Sequence, residues 1–79
     1  MYFVYIIQST LNSRYYTGST KDLEARLLSH NSGSNKSTKP YRPWKIVYTE
    51  ICVDKQTAIK REFQIKSYKG GRAFKALLQ

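Results

Sequence analysis

Residues 2–7 read Tyr-Phe-Val-Tyr-Ile-Ile, which is the longest apolar run in the chain. β-branched and aromatic residues occupy both odd and even positions, a composition typical of a strand buried on both faces. We therefore expect this strand to lie at the centre of a sheet. It is far shorter than the roughly 20 residues of a membrane span, and no basic segment precedes it, so the sequence predicts no membrane association.

A second strand is predicted after a polar turn, at residues 15–18. It is close enough in sequence to pair antiparallel with the first strand as a hairpin, and we expect Gly18 to end it. A helix is then expected over residues 21–31, capped by Ser19 or Thr20.

The second half of the chain adds one strand and two helices. The pattern predicts a mobile basic loop over 32–40, a strand over 44–53, a helix over 55–68 capped by Asp54, and a short helix over 72–79 that packs through Ala73, Phe74, Leu77 and Leu78. The expected fold is α+β, with a small three-stranded sheet flanked by helices in the order β-β-α-β-α-α. With 79 residues, the chain is predicted to form a single domain spanning 1–79.

The charge of the chain points to a polyanionic partner. Its 14 Lys and Arg residues exceed its 5 Asp and Glu residues, which gives a net charge of +9. Clustered cations gain free energy by releasing counterions from phosphate backbones, so nucleic acid is the leading candidate. The alternative is a solvated basic surface that only keeps the protein soluble.

The cysteine and histidine content excludes two kinds of stabilised small domain. The chain has one Cys and one His, which can form neither an internal disulfide nor the four-ligand set of a structural zinc site. We therefore expect a core held by packing, in a reducing compartment such as the cytoplasm.

One carboxylate interrupts an apolar helix face. At about 100° per residue, Glu62 falls within the arc formed by Ala58, Ile59, Phe63 and Ile65. An unpaired buried carboxylate is costly, so Glu62 either pairs with Lys66, four residues on, or lies at the edge of a cleft where it binds a cation. The helix alone leaves both interpretations open.

Two further pairs of polar residues stand beside apolar positions. Arg26 and His30 lie four residues apart on one edge of the first helix. Either they are ordinary residues at the helix boundary, or Arg26 binds phosphate and His30 accepts or donates a proton. Tyr5 and Tyr16 share a face of the hairpin if odd residues pair with even ones, and we expect the first helix and Glu62 to approach that face. Two core tyrosines are the alternative.

Taken together, these residues resemble the GIY-YIG nuclease superfamily, and most closely its short, stand-alone bacterial members. The first signature is Phe3-Val4-Tyr5, and the second is Tyr16-Thr17-Gly18 after ten intervening residues. Arg26, His30 and Glu62 follow in the family's order, and the resemblance covers nearly the whole chain. Phe3-Val4 replaces Gly-Ile, and Thr17 replaces Ile.

The resemblance implies a divalent-metal-dependent endonuclease that hydrolyses DNA phosphodiesters. Glu62 would hold Mg²⁺ or Mn²⁺, and Tyr5 would accept a proton from the attacking water, with its pKa lowered by Arg26. Tyr16 would orient water or phosphate, Arg26 would hold an oxygen of the transition state, and His30 would assist the phosphate or the proton path.

The resemblance also implies where nucleic acid binds. The implied phosphate-binding residues are basic: Lys36, Lys39, Arg42, Lys60, Lys66, Lys69 and Arg72. Because the chain has no separate recognition module, cleavage would show little sequence specificity, with DNA structure or a partner protein supplying the target. Repair, recombination and defence against foreign DNA are the pathways left open, and the sequence does not exclude RNA as a substrate.

Two rival functions stay open from the sequence. One is a nucleic-acid-binding module with a vestigial nuclease site. The other is a small interaction protein whose charge serves only solubility.

Overall fold

A computed structural model describes residues 1–79 as a three-stranded antiparallel sheet with helices on both faces. The elements are β1 (Tyr2–Ser9), β2 (Tyr15–Thr20), α1 (Leu23–Ser32), a short 3₁₀ helix (Lys39–Tyr41), β3 (Trp44–Cys52), α2 (Lys55–Ser67) and α3 (Arg72–Leu77). The strand order is β2-β1-β3, so the apolar first strand is central. The predicted α+β class, element order and central strand are confirmed. No helix has the length and apolar composition that crossing a bilayer requires.

The central strand contributes side chains to a separate cluster on each face. Val4 and Ile6 pack with Ala58 and Ile65 of α2 and with Phe74 of α3. On the opposite face, Tyr5, Ile7 and Trp44 form a second cluster against which Leu23 and Leu27 of α1 pack. The two faces of β1 therefore bind different helices, α1 on one side and the pair α2 and α3 on the other.

The hairpin register places the two candidate tyrosines on one face. Tyr5 pairs with Gly18 and Ile7 pairs with Tyr16, which is the odd-with-even register, so Tyr5 and Tyr16 lie on the same side of the sheet. The sequence alone had left this register open. On the other side of β1, the register with β3 shifts between Ile6 and Ile7. The shift leaves Val47 without a partner on β1 and reverses the face on which the side chains beyond it lie.

The ends of two elements differ from the sequence-based expectation. Gly18 does not end the second strand, because β2 continues to Thr20. Residues 19 and 20 are therefore part of the sheet, and α1 is capped by Asp22, whose carboxylate accepts a hydrogen bond from the Ala25 amide. Asp54 caps α2 as predicted, by accepting from the Thr57 amide.

Two predictions of burial were wrong, and the basic segment expected to be a mobile loop contains a buried residue. The segment expected to be a mobile loop is tied down at Thr38, which is buried and whose carbonyl accepts a hydrogen bond from the Trp44 indole. Phe63 is 64% exposed rather than part of the apolar face of α2. Ala73 is also exposed, because the six-residue α3 packs mainly through Phe74, with Leu77 and Leu78 half-buried.

Candidate active site

Three of the predicted site residues form one contact cluster beside β2. The Tyr5 hydroxyl lies 2.9 Å from His30 Nε2, within hydrogen-bonding distance. The Tyr16 ring packs edge-on against the His30 ring, with 5.0 Å between centroids, and lies 6.4 Å from the Tyr5 ring. The central strand, the edge strand and α1 thus each supply one ring to the cluster.

A glycine makes room for the phenol of Tyr5. A Cβ at residue 18 would lie 2.5 Å from the Tyr5 hydroxyl oxygen and 2.7 Å from Cζ. Such contacts are too close for any side chain, so the Tyr5 ring can cross β2 only where residue 18 is glycine. The glycine of the second signature is needed here for its size and not for an unusual backbone conformation.

The ionisation of this cluster differs from what the sequence predicted. Burial raises the pKa of Tyr5 above its ordinary value, and Tyr16 and Glu62 add to the increase while Arg26 opposes it. The prediction that Arg26 lowers this pKa overall was wrong, because desolvation outweighs one exposed cation. Burial, followed by the charge of Arg26, lowers the pKa of His30 below 6.5. At neutral pH, Tyr5 is a phenol and His30 is a neutral imidazole.

Arg26 lies in an open groove of about 600 Å³ between the end of β2 and the start of α2. The same groove is lined by Ser19, Lys21 and Lys55, together with Asp22. Arg26 forms no ion pair with a carboxylate, so its guanidinium is free to bind an anion that enters the groove. Lys21 and Lys55 were not among the predicted phosphate ligands, because only the fold brings them beside Arg26.

Glu62 approaches the cluster from the opposite face of the sheet. The prediction that it shares a face with Tyr5 was wrong, since α2 packs against Val4 and Ile6. Its Oε1 accepts a hydrogen bond of 2.7 Å from the Ser19 hydroxyl, and its Oε2 contacts Lys66 Nζ at 2.6 Å. The carboxylate therefore lies beside the outer edge of β2, across that strand from the tyrosines.

Of the two interpretations of Glu62 that the sequence left open, the ion pair with Lys66 is observed and cation binding stays a prediction. The ion pair with Lys66 is formed, as the simpler interpretation required, with the Glu62 side chain only 16% exposed. The carboxylate also lies at the edge of the sheet beside open grooves, as a cation-binding role requires. Ser19 supplies a further hydroxyl that the sequence did not single out.

The donor set at Glu62 fits a hard divalent cation such as Mg²⁺ or Mn²⁺. Magnesium keeps several waters and needs only one or two carboxylates in addition to phosphate oxygens. No group of three or more His, Cys, Asp or Glu side chains that could enclose a metal is present in the chain, so a cation held by Glu62 would need water or phosphate oxygens to complete its ligands. A cation at Oε2 would replace the Lys66 ammonium.

The predicted phosphate-binding residues fall into separate groups. Lys66 and Lys69 line a groove of about 320 Å³ with Tyr16, next to Glu62. A second groove of about 570 Å³ is lined by Lys36, Lys39 and Arg42. Arg72 lines a different groove at the C-terminal helix, and Lys60 lines none of these grooves. The structure thus brings two of the seven residues directly to the candidate site.

Sequence reasoning missed the residues that hold the site in place. Ser19 anchors Glu62, and Thr38 Oγ1 lies 2.8 Å from His30 Nδ1. The Ser19 contact joins residues 43 positions apart, whereas the Thr38 contact spans only eight residues. In both cases a small hydroxyl residue carries no sequence pattern that would single it out.

Comparison with known proteins identifies the family of the chain. The GIY-YIG catalytic domain matches residues 1–73. The chain therefore belongs to the GIY-YIG family, a family of nucleases that act on nucleic acids.

The relatives define a narrower group, the stand-alone UPF0213 proteins. A UPF0213 protein of Staphylococcus epidermidis is 46% identical over 68 residues, which cover 85% of this chain and 82% of that protein. A UPF0213 protein of Staphylococcus aureus has the same identity, 46%, over the same length. The solution NMR structure of a UPF0213 protein from Bacillus halodurans superposes with a TM-score of 0.50 at 30% identity, covering 92% of this chain and 90% of that one.

Proposed function

We propose that this protein is a divalent-metal-dependent endonuclease that hydrolyses DNA phosphodiester bonds with little sequence specificity. The observation that carries the proposal is the arrangement around β2. A tyrosine hydrogen-bonded to a histidine lies on one side of this strand and an anchored carboxylate on the other, with a free arginine in the adjoining groove. This is a set of groups able to move a proton, bind a cation and hold a phosphate around one point.

In the proposed reaction, Tyr5 moves a proton instead of acting as a tyrosinate. Its raised pKa keeps the phenol protonated, and His30 is neutral and can accept a proton. As water attacks phosphorus, the Tyr5 oxygen takes the proton of that water and gives its own proton to His30 Nε2. A new P–O bond forms, the bond to the leaving oxygen breaks, and that oxygen takes a proton from solvent.

The remaining residues act on charge and orientation. Arg26 binds a nonbridging oxygen of the scissile phosphate, where negative charge increases in the transition state. Tyr16 holds the His30 ring by edge contact and faces the groove that contains Lys66 and Lys69. Glu62 would hold Mg²⁺ or Mn²⁺, and the cation would neutralise charge on the phosphate and the leaving oxygen.

The substrate class follows from the grooves. Cations at Lys66 and Lys69 on one side of Glu62, and at Lys21, Arg26 and Lys55 on the other, suit a nucleic-acid strand that runs along the outer edge of β2. Backbone contacts of this kind do not read sequence, so a target is chosen by DNA structure or by a partner protein. We extend the proposal to a role in DNA repair or recombination in the cytoplasm.

One observation favours a second candidate, a nucleic-acid-binding module with a vestigial site. The Lys66 ammonium already neutralises the Glu62 carboxylate, as in an ordinary ion pair on a helix surface. This alternative predicts salt-sensitive DNA binding without turnover at any metal concentration.

Cleavage of labelled single-stranded, duplex and branched DNA in Mg²⁺, Mn²⁺ or EDTA separates the two candidates. An active wild type that loses turnover in EDTA and in Glu62→Gln supports the nuclease. Binding without cleavage of any of the three substrates supports the module.

A further inference from the structure

His30 is fully buried, and each of its ring nitrogens has one partner. Nε2 lies 2.9 Å from the Tyr5 hydroxyl and Nδ1 lies 2.8 Å from Thr38 Oγ1. A neutral imidazole carries its proton on only one nitrogen, so the partners decide which nitrogen donates and which accepts.

The Thr38 hydroxyl has one hydrogen and two possible acceptors. One is His30 Nδ1, and the other is the carbonyl of Asn35 at 3.4 Å. If Thr38 donates to Nδ1, then Nε2 must carry the proton and donate to Tyr5, and the contact with Asn35 is lost. If Thr38 donates to Asn35, then Nδ1 donates to Thr38 and Nε2 accepts from Tyr5. Only the second arrangement satisfies all three contacts.

We infer that Thr38 is a positioning residue that holds His30 in the tautomer protonated on Nδ1, so that Nε2 is free to accept the proton of Tyr5. The inference deepens the proposed function, on which its catalytic consequence rests. With its hydrogen directed to His30, the Tyr5 oxygen has a lone pair available for the proton of an attacking water. In the opposite tautomer, His30 Nε2–H would donate to the Tyr5 oxygen, and the lone pair would no longer be available to the water.

The surroundings of Thr38 keep its hydroxyl in place. Thr38 is 1% exposed, and its carbonyl accepts a 2.9 Å hydrogen bond from the Trp44 indole. The charged or titratable groups that face His30 are Tyr5 from β1, Tyr16 from β2 and Arg26 from its own helix, and none of them can replace the hydroxyl at Nδ1. The segment that includes Lys36, Lys39 and Arg42 therefore also supplies the group that orients the histidine.

The tautomer can be measured directly because the chain contains a single histidine. In ¹⁵N-labelled full-length protein without a histidine tag, long-range ¹H–¹⁵N spectra at neutral pH show which ring nitrogen is protonated. We expect the proton on Nδ1 in the wild type. A proton on Nε2 would overturn the inference, and this measurement needs neither a variant nor a substrate.

Two substitutions test the role of the hydroxyl. Thr38→Val leaves a Nδ1 donor buried without a partner, so we expect the proton to move to Nε2 and kcat for DNA cleavage to fall about tenfold or more. Binding of the same DNA should change less than about twofold, because Thr38 Oγ1 contacts His30 and not the surface grooves. Thr38→Ser keeps the hydroxyl and should restore both the tautomer and kcat.

The outcomes distinguish this inference from the proposed function. An unchanged tautomer in folded Thr38→Val contradicts the inference even if the protein cleaves DNA. A wild type with the proton on Nδ1 that cleaves no DNA contradicts the nuclease proposal and leaves the tautomer assignment standing.

Discussion

The Tyr5 hydroxyl occupies the space that a side chain at residue 18 would fill. The phenol oxygen lies 2.5 Å from the position of a Cβ built on Gly18, the residue that pairs with Tyr5 across the hairpin. The tyrosine of the first signature and the glycine of the second are therefore one steric unit, which places a buried phenol over the edge strand with its hydroxyl within hydrogen-bonding distance of His30.

Gly18→Ala should displace the Tyr5 ring and lower cleavage. Because the neighbouring backbone is paired in a strand, the methyl group can be accommodated only by moving the phenol away from His30, at a cost of about 1–3 kcal/mol in stability. We expect a folded protein with cleavage reduced about tenfold or more, measured together with thermal unfolding.

Thr49→Ala is the matched control, since Thr49 is an exposed residue that pairs with Tyr5 on the other neighbouring strand. Its cleavage rate should stay within about twofold of wild type, as for a surface substitution away from special features. Equal activities of the Gly18 and Thr49 variants would show that the close approach of Tyr5 to residue 18 has no functional consequence.

Ser19→Ala should raise the metal concentration needed for cleavage. The Ser19 hydroxyl donates to Glu62 Oε1, and loss of such supporting contacts typically costs about 10- to 100-fold in metal affinity or activity. The half-saturating Mn²⁺ concentration for cleavage gives the measurement. Ser29→Ala, in the same groove, serves as the control and should leave this concentration unchanged.

The cleavage rate should decline at acid pH as His30 becomes protonated. The lowered pKa of His30 keeps it neutral at pH 7, and its capacity to accept a proton is lost only as the pH falls through a value below 6.5. The acid limb of kcat should therefore lie below pH 6.5. An acid limb above the ordinary histidine value would contradict this account.

Arg26→Gln should raise the pKa of His30, because the arginine charge is one of the two causes that lower it. The shift is measured by NMR titration of the single histidine and does not depend on activity. Lys21→Gln removes a cation from the same groove and is the control, with a smaller shift expected.

Glu50→Gln should destabilise the protein in a pH-dependent way. Arg61 donates a 2.8 Å hydrogen bond to Glu50, which lowers the carboxyl pKa against the opposing effect of burial, and Tyr48 adds a further hydrogen bond. A carboxyl whose pKa is lower in the folded than in the unfolded protein stabilises the fold when the pH is above its unfolded-state pKa. This contribution is lost as the pH falls through the folded-state pKa.

We expect a loss of about 1 kcal/mol at pH 7 that shrinks as the pH falls below about 4, measured by urea unfolding. Glu24→Gln, on the exposed first turn of α1, is the control and should show little change at either pH. A difference that grows toward acid pH would contradict the assignment.

Much of the fold can be predicted from local patterns in the sequence. Apolar residues on both faces of β1 predicted that this strand is central, and Asp54 predicted the start of α2. The end of β2 was harder to predict, because glycine often ends a strand. The steric role of Gly18 depends on Tyr5, a residue on another strand. The register shift in β3 similarly depends on its pairing with β1 and cannot be located from β3 alone.

The sequence proposed the residues of the candidate site, and their roles stay predictions. The two signatures pointed to Tyr5 and Tyr16, and the order of the family pointed to Arg26, His30 and Glu62. The sequence could not show that Glu62 approaches from the opposite face, that burial outweighs Arg26 at Tyr5, or that Ser19 and Thr38 complete the hydrogen bonds. These features depend on contacts that only the folded chain makes, most of them between residues distant in sequence.

The most direct test of the nuclease account compares DNA cleavage by wild type and Glu62→Gln, side by side, in Mg²⁺, Mn²⁺ and EDTA. We predict metal-dependent cleavage by the wild type that is lost in EDTA and in the variant, while both proteins still bind DNA. Equal cleavage by the two proteins, or binding without cleavage by the wild type in every metal, would contradict the assignment of Glu62 as the metal ligand of an active nuclease.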